Sequence, residues 1–128
     1  MKNYVDNIET QTLQNNYFRK VLFIGKNEQL VVMSLKPGEN IGMEIHPNTD
    51  QFIRIERGTG KVILDGKESV VEDDFAIVIT AGTEHDLINT SETEDLKLYT
   101  VYGPPNHPEG TVHETKAEAD EYEKSHHS

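Results

Sequence analysis

Short runs rich in Val, Ile, Phe and Tyr alternate with turn residues from about residue 20 to residue 102. The nine runs are KVLFIG (20–25), QLVVMSL (29–35), IGMEIH (41–46), QFIRIERG (51–58), GKVILDG (60–66), ESVVE (68–72), FAIVI (75–79), HDLIN (85–89) and LKLYTVY (96–102). This length and composition predict β-strands. Between two of the runs, Asp65-Gly66 predicts a two-residue hairpin, because both positions tolerate positive φ.

The spacing of these runs indicates the fold class. Nine short strands without a long helix between them are typical of an antiparallel sandwich or barrel and argue against βαβ units. A single sheet of this length would leave long edges exposed, and rolling it into a two-sheet jelly roll limits that exposure and encloses an interior. The pattern therefore predicts an all-β jelly-roll barrel.

The pattern changes after Tyr102. Residues 103–113 hold three prolines and two glycines, and we expect neither a strand nor a helix there. Thr115-x-x-Glu118 is a capping-box pattern that opens a predicted short helix, KAEADEYEKSH. Its apolar residues are Ala117, Ala119 and Tyr122, so we expect a weakly amphipathic helix on the surface.

Length and composition limit the number of domains and the kinds of metal ligand that the chain can supply. A length of 128 residues fits a single domain over 1–128, with the barrel at about 20–102 and the Pro/Gly loop and short helix at 103–128. The chain has no cysteine, which excludes disulfides, thiolate nucleophiles and iron–sulfur clusters. Any metal must therefore be bound by nitrogen and oxygen ligands.

Charge and hydropathy bear on partners and location. The formal net charge of −11 argues against nucleic-acid binding, which needs a basic surface. No stretch approaches the roughly 18 apolar residues of a membrane span, and the first residues lack the apolar centre of a signal peptide. We therefore expect a soluble cytoplasmic protein, without nucleic-acid or membrane partners, that binds a small-molecule ligand or substrate.

Four polar residues on the predicted strands form a candidate metal site. Glu44 and His46 lie two residues apart on one strand, so their side chains emerge on the same face. Gln51 opens the next strand, where we expect it across from His46, and His85 would complete the site from the far side of a closed barrel. Such a set suits Fe(II), Mn, Co, Ni or Zn. From spacing alone, polar residues on a solvent-exposed face explain the pattern equally well.

These positions resemble the first sequence motif of the cupin superfamily, G-x5-H-x-H-x(3,4)-E-x6-G. Counting back from Gly58 places Gln51 at the Glu position, His46 at the second His and Glu44 at the first His. The resemblance covers about residues 30–102. It implies the cupin jelly-roll barrel, a double-stranded β-helix, here followed by a short C-terminal helix.

A second stretch resembles the other cupin motif, G-x5-P-x-G-x2-H-x3-N. Gly82, His85 and Asn89 match it, while Thr80 stands at the Pro position and Asp74 at the first Gly. Both motifs occur in order and with matching offsets, which strengthens the predicted fold.

The resemblance implies one divalent transition metal (Zn, Mn, Fe, Ni or Co) held by Glu44, His46, Gln51 and His85. The family's usual set is three histidines and one glutamate, so here the carboxylate has moved from one position to another. Neutral Gln51 is a weaker ligand than a carboxylate. There are two alternatives. Gln51 lies outside the ligand sphere, or the barrel binds no metal. Asp50 is a rival donor, although strand alternation points it to the other face.

The tail from Tyr102 is similar to the ending of small bacterial cupins often labelled mannose-6-phosphate isomerase-like. Within it, His107 and His113 flank the Pro/Gly loop and are candidate acid/base groups at the barrel mouth, with ordinary loop roles as the alternative. The resemblance also implies a homodimer, for which outward-facing Phe52 is a candidate contact.

Three functions stay open at this point. The first is a metal-dependent isomerase acting on a small carbohydrate-like molecule, in which the metal stabilises an enediolate while a base moves a proton. The second is a non-haem dioxygenase, because two histidines and a carboxylate are common iron ligands. The third is a binding module without turnover. No cluster of Lys and Arg is evident on the predicted strands, so a neutral or metal-chelating ligand is favoured over a phosphorylated sugar.

Overall fold

The computed structural model describes residues 3–126; residues 1, 2, 127 and 128 of the predicted domain lie outside this description. Its helices are α1 (Ile8–Gln14) and α2 (Lys116–His126). Its strands are β1 (Arg19–Ile24), β2 (Gln29–Leu35), β3 (Glu44–Ile45), β4 (Asp50–Arg57), β5 (Gly60–Leu64), β6 (Lys67–Val71), β7 (Ala76–Ile79), β8 (Glu84–Asn89), β9 (Leu96–Gly103) and β10 (Val112–His113). Neither helix is long and apolar enough to cross a membrane.

The strands form two antiparallel sheets. One has six strands in the order β10-β1-β2-β9-β4-β7, and the other has four in the order β3-β8-β5-β6. Each sheet contributes inward side chains to one shared core, as in a jelly-roll barrel. The predicted all-β jelly roll is therefore confirmed.

The inward side chains of β2, β4 and β9 divide the barrel into an apolar end and a polar end. At the apolar end, Val31, Met33, Leu35, Ile53, Ile55, Leu96 and Leu98 are at most 1% exposed. Val62 and Leu87 of the opposite sheet complete this core. Further along the same three strands, the buried positions are Gln29, Gln51 and Tyr102. The apolar core therefore ends where these polar side chains begin.

The predicted hairpin and C-terminal helix are both present. Asp65 (φ 49°) and Gly66 (φ 84°) join β5 to β6 with positive φ at both positions. At the start of α2, the Glu118 N–H donates to Thr115 Oγ1 at 3.1 Å, as the capping pattern predicts. Ala119 is only 2% exposed and joins the core cluster, so α2 is anchored to the barrel.

Asn89, from the second motif, has a structural role. Its side chain is 1% exposed, and its Nδ2 donates to the backbone oxygens of Leu35 and Glu94 at 3.0 and 2.8 Å. Its side-chain oxygen accepts from the Ser91 N–H. Asn89 thereby ties the loop after β8 to the end of β2.

Two short elements near the chain ends differ from the prediction. Helix α1 was not predicted; Asn7 caps it by accepting from the Thr10 N–H at 2.9 Å. Strand β10 lies within the segment for which we expected no strand. Beyond the last proline of that segment, Val112–His113 pairs with Lys20 and Arg19 of β1, so the expectation is wrong for these two residues.

The predicted strand at 41–46 is a strand only at Glu44–Ile45. Gly42 has φ 112°, which interrupts extended geometry before it. The short strand pairs with β8 in the four-stranded sheet, whereas β4 belongs to the other sheet. The expected pairing of Gln51 with His46 is therefore wrong, because their strands are not neighbours.

We expect Gly60→Ala to lower the free energy of unfolding by about 1–3 kcal/mol. The added Cβ would lie 2.7 Å from the Ile88 carbonyl oxygen and 3.1 Å from Leu96 Cδ2, inside the β5–β8 ladder. Gly25→Ala is the matched control, because its closest contact would be 3.4 Å, to the Glu28 carbonyl oxygen. Urea unfolding followed by circular dichroism measures both, and equal stabilities would contradict this packing argument.

Candidate metal centre and cavity

Glu44, His46 and His85 meet at the polar end of the barrel. One ligand atom from each lies within 4.8 Å of the others. Glu44 and His85 are register partners on β3 and β8, and His46 follows β3 with its ring centroid 5.1 Å from that of His85. Glu44 and His85 therefore lie on neighbouring strands of one sheet, and His46 lies directly after the first of them. The expectation that His85 reaches across from the far side of the barrel is wrong.

The hydrogen bonds and burial around these three side chains affect how they would bind a cation. His85 Nδ1 lies 2.9 Å from the Thr83 carbonyl oxygen, so with Nδ1 assigned as the donor, Nε2 is free to bind metal. Burial, followed by the charges of His85 and Arg19, lowers the pKa of His46 to about 4, and this ring is neutral at pH 7. Burial raises the pKa of Glu44 to about 7. A bound cation would favour the ionised carboxylate.

Gln51 faces the interior from the opposite sheet. It is 3% exposed, and its Nε2 donates to Thr100 Oγ1 at 3.0 Å. Its Oε1 is buried and has no hydrogen-bond partner among the described residues. Its register partner Tyr102 lies with its ring 6.0 Å from that of His46. A buried amide oxygen without a partner is costly, and a cation fits as the partner it lacks.

The outward-facing neighbours of Gln51 are engaged elsewhere. Asp50 is exposed and accepts from the Ala81 N–H at 2.8 Å, which agrees with its expected direction away from the site. Arg54 also points outward, where it pairs with Asp74. Phe52 is half-buried, with its ring 6.3 Å from Tyr99. A homodimer contact at Phe52 stays a prediction.

Tyr102 and His107 form a neutral pair beside the three ligand residues. His107 Nε2 lies 3.4 Å from the Tyr102 hydroxyl, and the rings meet edge to face at 5.2 Å. Burial lowers the pKa of His107 to about 3 and raises the pKa of Tyr102 to about 12. At neutral pH the imidazole can therefore accept a proton and the phenol can donate one.

Gln29 holds His107 in place. This glutamine is fully buried and donates from Nε2 to the His107 carbonyl oxygen at 2.7 Å. Its Oε1 accepts from the N–H groups of Asn106 and His107 at 3.0 and 2.9 Å. Three hydrogen bonds from one side chain thus fasten the Pro/Gly loop across the barrel mouth.

His113 lies apart from this arrangement. It sits on β10, 7% exposed, with its ring 5.2 Å from Tyr122 of α2. Burial lowers its pKa as well. Of the two histidines suggested as acid/base groups, the structure brings His107 beside the ligand cluster, whereas His113 is packed beneath the helix.

A cavity of about 630 Å³ opens over the cluster. Its walls come from β3, the Pro/Gly loop and α2, and its lining residues are Ile41, Gly42, Met43, Glu44, Ile45, His46, Asn106, His107, Pro108, Asp120, Tyr122 and Glu123. Among these described residues there is no Lys or Arg. At the exposed outer wall, Asp120 pairs with Lys116 at 3.1 Å and Glu123 adds a negative charge. The cavity is large enough for a small polar molecule.

Sequence reasoning missed two residues of this end of the barrel: Gln29 and Tyr102. A signal existed for Tyr102, because alternation along β9 places it on the same face as Leu96 and Leu98. No comparable signal existed for Gln29, since a polar residue at the start of a strand is ordinary.

Comparison with known proteins identifies the family. The Cupin domain family model matches residues 31–102. The chain belongs to the cupin family. This cupin is 55% identical to YrkC of Bacillus subtilis (strain 168) over an alignment of 125 positions that covers 92% of this chain and 66% of YrkC. It is 50% identical to L612 of Acanthamoeba polyphaga mimivirus over 113 residues, covering 85% of this chain and 70% of L612. The cupin thus spans slightly less than two thirds of YrkC.

Solved structures agree with this assignment. BH2720 from Bacillus halodurans is 47% identical with a TM-score of 0.91, covering 94% of this cupin and 95% of that chain. KdgF from Halomonas sp. has a TM-score of 0.63 at 19% identity, covering 69% and 78% of the two chains. The second likeness concerns the fold alone.

We expect the stability of the metal-free cupin to depend on the protonation of His107. Burial holds its folded-state pKa at about 3, below the ordinary 6.5. Between these values the unfolded chain binds a proton that the folded chain does not. The free energy of unfolding is therefore unaffected by His107 above pH 6.5. As the pH falls from 6.5 towards about 3, it decreases by about 1.4 kcal/mol per pH unit.

The measurement compares wild type with His107→Gln, because His46 and Glu44 titrate in both proteins. Urea unfolding between about pH 4 and 7 gives the difference in unfolding free energy, which should grow in favour of wild type as the pH rises. A difference that does not vary with pH would contradict a neutral buried His107.

Proposed function

We propose that this cupin is a metal-dependent enzyme that moves a proton on a small carbohydrate-like molecule, as an isomerase does. The observation that carries this proposal is the grouping of Glu44, His46 and His85 within 4.8 Å, beside a neutral tyrosine–histidine pair and under a cavity. We include Gln51 as a fourth ligand through its unpaired Oε1. A divalent ion in this site would polarise a substrate carbonyl or hydroxyl group.

The residues around the cluster supply the proton chemistry. His107 is unprotonated at neutral pH and is the base, while the Tyr102 hydroxyl is the donor. Burial makes this imidazole a weaker base and this phenol a weaker acid than in water. It is their position beside the ligand cluster that supports the proposal, and a bound cation would have to acidify the substrate proton. Gln29 keeps the base at the cavity, whose walls the loop and α2 partly form.

The charges around the cavity indicate which class of substrate it would accept. Glu123 at its outer wall would repel a phosphate dianion, Asp120 is ion-paired with Lys116, and the described lining has no basic side chain. We therefore favour an unphosphorylated substrate and take only the reaction type, not the substrate, from the likeness to mannose-6-phosphate isomerase-like cupins. Homodimer formation and a cytoplasmic location stay predictions.

A dioxygenase is the second candidate. Glu44, His46 and His85 are a two-histidine, one-carboxylate set, which is a common arrangement for non-haem Fe(II). The same protein residues serve either chemistry, so the identity of the loaded metal separates the two.

We expect untagged protein purified without chelator to contain close to one transition-metal ion per chain by plasma mass spectrometry. His46→Ala and His85→Ala should lose the metal, whereas His113→Gln, a buried histidine outside the cluster, should retain it. Gln51→Leu should weaken metal binding by roughly tenfold or more, and Gln51→Glu should not. A wild-type protein that takes up no metal, even on reconstitution, would refute the metalloenzyme.

Hydrogen exchange with solvent tests the reaction type. In D₂O, the metal-loaded cupin should replace carbon-bound hydrogen next to the carbonyl of an unphosphorylated aldose or ketose, as seen by proton NMR. His107→Gln should slow this exchange by about 10²- to 10⁴-fold while the metal content is unchanged. His113→Gln is the control. Absence of exchange with every sugar, together with oxygen consumption by the iron-loaded protein, would favour the dioxygenase.

A further inference from the structure

The cavity runs along the open edge of strand β3. It is lined by every residue from Ile41 to His46, together with residues of the Pro/Gly loop and α2. Side chains alternate between the two faces of a strand, so a cavity over one face would meet every second residue. Contact with consecutive residues therefore indicates that the cavity follows the edge of the strand, where main-chain groups are accessible.

Strand β3 has a partner strand on one side only. It stands first in the four-stranded sheet, whose order is β3-β8-β5-β6. Ile45 is 53% exposed, so solvent reaches the strand at this residue. The open edge of a strand presents N–H and C=O groups that can bind another molecule. The hydrogen bonds of β8 decide which main-chain groups of β3 lie on this edge.

Ile45 turns its main-chain groups away from β8. Its register partner on β8 is Glu84. The Glu84 N–H donates to Asp65 Oδ1 at 2.9 Å, and the Glu84 carbonyl oxygen accepts from the Asp65 N–H at 2.8 Å. Glu84 therefore forms its main-chain hydrogen bonds on the β5 side of its strand. Opposed residues of an antiparallel pair either bond each other or both point away, so the Ile45 N–H and C=O point to the open edge.

The neighbours of Ile45 agree with this alternation. The His46 carbonyl oxygen accepts from the Gly82 N–H at 2.9 Å, in the turn that precedes β8. Residues two apart on a strand direct their main-chain groups the same way, so Glu44 faces its register partner His85 and Ile45 faces the opposite way. Outside the strand ladders, the main-chain hydrogen bonds within residues 3–126 do not include Ile45. Its N–H and C=O are thus available to a ligand.

These two groups lie beside the metal-ligating side chains. Ile45 is flanked in sequence by Glu44 and His46, which belong to the ligand group, and all three residues line the cavity. A molecule with one oxygen on the metal would therefore lie near a main-chain donor and acceptor that belong to a single residue. Two hydroxyl groups on adjacent carbons match such a pair, because one can accept from the N–H while the other donates to the C=O.

We propose that the Ile45 N–H and C=O bind two hydroxyl groups on adjacent carbons of the ligand and fix its orientation beside Glu44 and His46. This inference deepens the proposed function and rests on it for the metal-bound end of the same molecule. A single amide group would not serve, because its N–H and C=O point in opposite directions across a planar trans bond. The ligand class is therefore a neutral vicinal diol of carbohydrate type.

Titration with two isomeric diols tests the requirement for adjacent hydroxyls. The probes are cis-cyclohexane-1,2-diol and cis-cyclohexane-1,4-diol, which share one ring and differ in the spacing of their hydroxyl groups. The zinc-loaded protein, followed by proton–nitrogen NMR, should bind the 1,2-diol roughly tenfold more tightly, because it gains two hydrogen bonds. Equal affinity or binding of neither diol would overturn the inference. Tighter binding of N-acetylalanine methylamide, which would pair with β3 as a strand residue does, would overturn it as well.

Variants assign the preference to the main chain of Ile45. Ile45→Pro removes the N–H and keeps the C=O, and proline is tolerated on an edge strand where its nitrogen faces outward. It should weaken binding of the 1,2-diol roughly threefold to tenfold and leave binding of the 1,4-diol unchanged. Ile45→Val keeps both main-chain groups and is the matched control. An unchanged preference in Ile45→Pro would mean that the metal alone holds the diol, and the inference would fail.

Amide hydrogen exchange tests the geometry without a substitution. The Ile45 amide should exchange quickly in the free protein and roughly tenfold more slowly with saturating 1,2-diol. The Glu44 amide, which faces β8, should exchange slowly in both states. This measurement decides the matter if Ile45→Pro unfolds or loses its metal. Slow exchange of the Ile45 amide in the free protein would reveal an internal partner and refute the inference.

The same titrations on metal-free protein distinguish this inference from the proposed function. A protein that binds metal but shows no preference for the 1,2-diol would refute this inference and leave the proposed function standing. A protein that takes up no metal, yet prefers the 1,2-diol and loses that preference in Ile45→Pro, would refute the metalloenzyme and retain Ile45 as a diol-binding residue.

Discussion

Strand β9 lies between β2 and β4 in the larger sheet, and its alternating inward side chains connect the core to the site. Leu96 and Leu98 are inaccessible parts of the apolar core, while Thr100 and Tyr102 continue the same row into the polar end. A shift of one residue in register would turn all four to the outer face. The ladder that fills the barrel is therefore also the ladder that places Tyr102 beside His46 and positions Gln51 through Thr100.

Some buried polar side chains have hydrogen-bond partners within the protein, and others do not. Gln29 uses both ends of its amide on the Pro/Gly loop, and Asn89 does the same for the loop after β8. By contrast, Gln51 Oε1 and Arg19 Nε are buried without hydrogen-bond partners among the described residues. Tyr4 Oη, Arg54 Nε and His113 Nδ1 also lack hydrogen-bond partners there, so a missing partner indicates a ligand only where, as for Gln51, the atom lies at the polar end of the barrel with a group of metal-ligating side chains.

Compared with the usual cupin ligand set, this chain has its carboxylate ligand on the other sheet. The carboxylate has left the β4 position, where Gln51 now stands, and is found at Glu44 on the opposite sheet, directly across from His85. The negative charge and both imidazoles thus lie on one wall, and a neutral amide lies on the other. An amide at Gln51 places no negative charge on the six-stranded sheet, which also carries Arg19. Family membership alone does not decide which reaction follows from this arrangement.

The sequence by itself determined the positions of nearly all the strands, the Asp65-Gly66 hairpin, the capped helix α2 and, through motif spacing, the candidates Glu44, His46, Gln51 and His85. These features depend on local alternation and turn chemistry, which are written in neighbouring residues. Tertiary structure decided that β3 pairs with β8 rather than β4, that His107 adjoins the site while His113 does not, and that Arg19 is buried. Strand partners and burial depend on residues far apart in the chain, and alternation indicates which face a side chain occupies without specifying what covers that face.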